Sequence, residues 1–145
     1  MPLEHLFDAE LQYQPGLEPL VAAEGREGEL VGSGDGAVNG DRLVGSLRWT
    51  LFESPGELVC AMQPIALIDT ADGAQVRFEA RGYARRTTHE DRVWKVAATL
   101  RFETDDGRYA WLEHALGVWE GAFDADAHHA RYRAFLQTPE DGACA

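Results

Sequence analysis

Along Val76–Ala84 apolar and polar side chains alternate one for one. Val76, Phe78, Ala80, Gly82 and Ala84 fall on one side, and Arg77, Glu79, Arg81 and Tyr83 on the other. A repeat of two belongs to an extended chain, whose successive side chains point to opposite faces. The run from Val93 repeats it, with Trp94, Val96, Ala98, Leu100 and Phe102 opposing Lys95, Thr99, Arg101 and Glu103. Earlier, Leu43, Gly45, Leu47, Trp49 and Leu51 alternate with Val44, Ser46, Arg48, Thr50 and Phe52. These segments are short between breakers and rich in residues that fit a pleated surface, so they are read as strands.

Asp35-Gly36, Asn39-Gly40, Asp72-Gly73 and Asp106-Gly107 supply residues that tolerate positive φ and read as hairpin turns. Strands joined by turns, without helical patterns between them, predict an antiparallel meander. About eight to ten strands must close or stack to hide their edges, and a barrel does this best. The expected fold is therefore all-β: one closed or nearly closed antiparallel β-barrel over residues 1–137, lipocalin-like in general shape, with an interior cavity. Met62-Gln63-Pro64 is expected to bend a strand or lie at an edge, because proline cannot donate to a central ladder. Asp124 or Asp126 offers an N-cap for a short helix near the end of the chain. The alternation of Tyr132, Ala134 and Leu136 instead favours a closing strand over Arg131–Gln137, followed by a disordered tail at 138–145.

The chain has 145 residues, sufficient for one domain with a real core. Its formal net charge of -12 disfavours nucleic acid or an anionic membrane as partner. No apolar run reaches a membrane-spanning length, and Met-Pro-Leu-Glu-His has no signal-peptide character. Cys60 and Cys144 form no framework, so a reduced, cytoplasmic setting is expected.

The stretch "LEPLVAAEGREGELVGSGDGAVNGDRLVGSLRW" leads into a glycine-punctuated run at Gly36, Val38, Gly40, Leu43 and Gly45. "IALIDTADGAQVRFEARGYARR" follows, and then Phe102, Thr104, Tyr109, Trp111 and Leu112. In this order the motifs resemble the DUF3237 family of small β-barrels. The resemblance implies a closed antiparallel barrel with an interior ligand cavity and implies no reaction. Two departures stand out: Glu113 occupies a place where the family usually has Asn, and the loop around "SLRWTLFES" is remodelled.

Gly32-Ser33-Gly34-Asp35-Gly36-Ala37 formally fits a dinucleotide fingerprint. Asn39-Gly40 would break the helix that must follow, and Asp35 would repel phosphate, so these glycines are read as bulges or corners of a twisted barrel. Asp124, Asp126 and His128 share a side if extended, but the calcium-loop template fails at His129 and Phe135. No metal and no cofactor are expected.

Arg77, Glu79 and Arg81 form a row of alternating charge. Outside the barrel they are a solvated stripe; inside, they would line a ligand site and hold a carboxylate or enolate. Glu113 and His114 would face opposite ways in an extended strand, which leaves Glu113 beside Tyr109, Trp111 and Trp119. A carboxyl among tryptophans suits a general acid or base.

Three readings follow. The first is a soluble barrel that binds a small organic molecule through Trp49, Arg77, Glu79, Tyr109, Trp111 and Trp119. The second is a cofactor-free isomerase, hydratase or cyclase using Glu113, with Arg81 or Arg101 stabilising negative charge. The third is a homodimer, or other homo-oligomer, whose exposed sheet face is an interface without ligand.

Overall fold

The computed structural model describes residues 3–14, 18–19, 30–54 and 56–137. The expected tail and Cys144 lie outside the described residues. Nine strands follow in order: β1 (Leu3–Tyr13), β2 (Glu18–Pro19), β3 (Leu30–Asn39), β4 (Val44–Ser54), β5 (Val59–Thr70), β6 (Gln75–Arg85), β7 (Val93–Glu103), β8 (Gly117–Asp124) and β9 (His129–Gln137). A six-residue 3-10 helix, Gly107–Leu112, lies between β7 and β8.

Each strand from β3 to β9 pairs antiparallel with the next, and β1 pairs with both β9 and β3. That last contact closes an eight-stranded barrel, with β2 added as a two-residue extension on β3. The expected faces hold. Val76, Phe78, Ala80 and Ala84 point inward from β6, and Leu47, Trp49 and Leu51 from β4. Tyr132, Ala134 and Leu136 do the same from β9, so the closing strand is present. Phe7, Phe78 and Phe102 are fully buried in one continuous core. Burial at that level contributes about 1.5–3 kcal/mol for each such side chain. Leu6 and Phe7 are both buried although adjacent, because the β1–β9 register shifts between His5 and Phe7. A bulge of this kind turns two neighbours to the same side.

Three local expectations change. Asp35-Gly36 is no turn; it lies within β3, along the seam with β1. Gly34 and Gly36 sit opposite Tyr13 and Leu11, and a Cβ at either position would overlap a β1 carbonyl oxygen, of Gln12 or Glu10. They serve close backbone approach where the barrel closes. Asp106-Gly107 likewise opens the 3-10 helix rather than a hairpin. Asp72-Gly73 is the expected turn, with Gly73 at φ 89°. Pro64 lies in β5 between two partners, not at an edge. The β5–β6 pairing skips from Met62↔Gly82 to Ile65↔Glu79, so the ladder lapses where proline has no N–H to give.

Candidate functional site

The two ends of the barrel differ. At one end the 3-10 helix acts as a plug, with Leu112 fully buried, Tyr109 almost so, and Leu43 buried alongside. Its start is fixed locally: the Thr104 hydroxyl receives the Asp106 N–H (3.1 Å), and the Asp106 carboxylate receives the Arg108 N–H (2.9 Å). The Arg108 guanidinium grips the same carboxylate with two bonds, of 3.0 and 2.8 Å. Those bonds hold Asp106 down to about 2. The Tyr109 hydroxyl lies 2.9 Å from both carboxylate oxygens of Asp72, in the β5–β6 turn, and the Thr70 hydroxyl donates to Asp72 at 2.6 Å. The Thr70 bond first, then that of Tyr109, lowers Asp72 below the ordinary carboxylate value. Burial, and then the bond to Asp72, raises Tyr109. This cluster satisfies itself and pins the plug.

At the opposite end, where β1 finishes and β9 begins, a cavity of about 350 Å³ opens into the barrel. Its apolar wall includes Leu51, Met62, Ala84, Trp94 and Phe123, with Tyr13 packed against Phe123 at 4.5 Å between ring centres. Gln14, Arg92 and His128 also line it. Arg92 uses Nε on Asp126 at 2.9 Å, and its remaining donors have no partner among the described residues. His128 stands at φ 51°, and its carbonyl receives the Tyr13 N–H (2.7 Å) and the Gln12 side-chain amide (2.9 Å). Its imidazole has no partner among the described residues.

Below the cavity runs a column of rings. Tyr13 packs on Trp49 at 4.2 Å, and the Tyr13 and Tyr132 hydroxyls are 3.2 Å apart. Trp119 stacks on Tyr132 at 4.2 Å and meets Phe78 edge-on at 5.5 Å. Desolvation pushes Tyr132 up to about 12, partly offset by its bond with Tyr13, so the Tyr132 hydroxyl stays neutral. The indole N–H groups of Trp49 and Trp119 are buried with no hydrogen-bond partner among the described residues.

Of the sequence-derived ligand residues, Trp49 and Trp119 are therefore interior. Tyr109 belongs to the plug. Trp111 is on the same helix but half-buried, donating to the Arg108 carbonyl at 3.1 Å beneath the Arg42 guanidinium. Arg77, Glu79 and Arg81 lie on the outer face, where Arg77 pairs with Glu103 (2.9 Å) and Arg81 with Glu79 (3.2 Å). Glu113 does not share a strand face with Tyr109 and Trp119. It is the exposed C-cap of the 3-10 helix, in αR conformation, and His114 beside it is also exposed. Arg101 faces outward opposite Glu79. Among the described residues no acid–arginine set is assembled around Glu113.

The turn at 125–128 also keeps Asp124, Asp126 and His128 from sharing a strand face. Among the described residues no three His, Cys, Asp or Glu side chains converge as a metal site requires. Also among them, no helix is long and apolar enough to cross a membrane. Sequence reasoning missed Tyr13, Met62, Phe123, Arg92 and His128. Tyr13 was within reach, since Ala9, Leu11 and Tyr13 alternate inward along β1. Arg92 and His128 precede strands and carry no periodic signal.

The family model described as "Protein of unknown function (DUF3237)" matches residues 1–136. A β-barrel-like protein from Acinetobacter baumannii superposes with a TM-score of 0.77 at 16% identity, covering 93% of this chain and 94% of that one. A conserved protein of unknown function from Rhodopseudomonas palustris gives 0.77 at 17% identity, covering 93% and 96%. A structure described as an enzyme from Penicillium herquei gives 0.59 at 19% identity, covering 94% of each chain. At these identities the likeness is one of fold. No curated protein matches the chain.

Proposed function

The chain belongs to the DUF3237 family, and from that premise we propose that it binds a small, mostly apolar organic molecule at the open end of its barrel. The observation that carries this reading is the cavity of about 350 Å³ between Tyr13, Met62, Ala84 and Phe123, with Arg92 and His128 beside it. Apolar walls with a few polar groups are the usual make-up of a small-molecule site. Two of those polar groups have donors without a partner among the described residues. The test is a titration of the full chain with naphthoate, followed by Trp fluorescence and calorimetry, against Ala84→Phe. Ala84 is buried and lines the cavity, so the larger ring occupies ligand space. Binding by the native chain and a loss of at least about tenfold in the variant support the reading. Equal binding by both removes it.

A second reading, proton-transfer catalysis in the same cavity, is supported by the Penicillium herquei neighbour's description as an enzyme. In this chain it would draw on His128 and Arg92, which line the cavity, since Glu113 and Arg81 are exposed outside it. Its signature is deuterium exchange at the methyl group of acetylnaphthalene that His128→Asn abolishes. Exchange at the background rate with native protein counts against it.

A further inference from the structure

Four polar side-chain groups stand in the ring column under the cavity, and they are unequally satisfied. The Tyr13 and Tyr132 hydroxyls have each other, whereas the indole N–H groups of Trp49 and Trp119 have no partner among the described residues. Trp49 is 4% exposed and Trp119 3%. A donor buried without an acceptor is a standing deficit that any acceptor brought to it removes.

The two indoles are not equally placed. Trp119 lies deep, between Tyr132 and Phe78. Trp49 is one ring below the cavity, packed on Tyr13, which lines it, and two residues before Leu51, another wall residue on the same face of β4. The indole edge next to Nε1 rests over Gly34, where a Cβ would strike Cζ2 and Cε2. Trp49 is thus wedged against β3, and Tyr13 is the ring with cavity on its other side.

We infer that the preferred occupant carries a hydrogen-bond acceptor, a carbonyl or ether-type oxygen, at the end that enters first, and that the Trp49 indole N–H receives it as the Tyr13 ring swings aside. This deepens the binding reading and rests on it. A hydrocarbon of the same shape gains the apolar wall alone and leaves the Trp49 donor unfilled. When Tyr13 moves, the Tyr132 hydroxyl loses its partner and becomes a second donor for the same oxygen.

The experiment compares acetylnaphthalene with ethylnaphthalene on the full chain, by calorimetry and by ¹⁵N spectra of the indole N–H groups. The ketone is expected to bind about tenfold more tightly than the hydrocarbon, the effect of one recovered hydrogen bond. It should also move the Trp49 indole resonance downfield, while the hydrocarbon does not. Trp49→Phe, which keeps a ring and removes the donor, should bring the two affinities together. If both probes bind native protein equally and the Trp49 resonance follows neither, the inference is overturned and the cavity reading stands. If neither binds, both fall. Should Trp49→Phe fail to fold, the indole shift in the native chain decides alone.

Discussion

The plugged and open ends of the barrel are made by the same eight strands, yet their polar groups are handled differently. Around the 3-10 helix, Thr70, Asp72, Asp106, Arg108 and Tyr109 bond to one another. Around the cavity, Arg92 and His128 have side-chain donors without a partner among the described residues, as has the Trp49 indole beneath them. A closed polar network rigidifies, whereas unfilled capacity beside an apolar hollow is what a ligand can use. Two ends of one fold thus differ in how far their polar groups are satisfied among the described residues.

The largest break in that comparison comes from the plug. Leu112→Ala removes a fully buried side chain and is expected to cost about 2–5 kcal/mol, read as a lower urea midpoint. Naphthoate binding by the protein that remains folded should be unchanged, and a parallel loss of affinity would mean that the ends are coupled.

A smaller effect comes from acid. Asp106 lies at about 2, below the ordinary 3.8, and Asp72 is shifted the same way. Carboxylates lowered on folding contribute stability that is complete above their unfolded value and lost as pH falls through the folded one. Protection factors at Tyr109 and Leu112 (exchange relative to the intrinsic rate at each pH) should therefore be flat above about pH 4 and fall towards pH 2, ahead of those along β1. Simultaneous loss everywhere would deny the plug its own acid sensitivity.

The smallest structural effect is expected at the open end. His128→Asn suits the positive φ of that residue and keeps the carbonyl that receives Tyr13 N–H, so the unfolding free energy from a urea titration should change by no more than about 0.5 kcal/mol. Naphthoate affinity should fall several-fold relative to ethylnaphthalene. An equal effect on both probes would place His128 in the wall rather than among the polar contacts.

Much of the barrel was readable in advance because the pleat ties facing to parity. Once Val76–Ala84 is a strand, Phe78 is inside and Arg77 outside. The glycines were harder. Gly34 and Gly36 look like turn residues locally, and only the pairing of β3 with β1 across the closure shows why a side chain is forbidden there. Glu113 failed for a related reason. The run from Thr104 to Gly121 holds aromatics at strand-like spacing, but side chains at Thr104 and Asp106 begin a helical turn that resets the parity before β8. Trp49 and Trp119 were expected to bind ligand, and both lie in the interior. Which end is hollow depends on what each set of connections covers, and parity is silent on that.

The seam at Gly34 and Gly36 also bears on how the chain is made. Within the barrel β1 is made before every other strand, and it needs β9, made after them, on one side and β3 on the other. The meander from β3 to β9 can pair neighbour by neighbour during synthesis, but the sheet keeps two open edges until Gln137 has emerged. Closure is therefore a late, long-range event. Until it occurs, the nascent sheet offers unpaired backbone to any neighbouring chain; afterwards the barrel offers none along that seam.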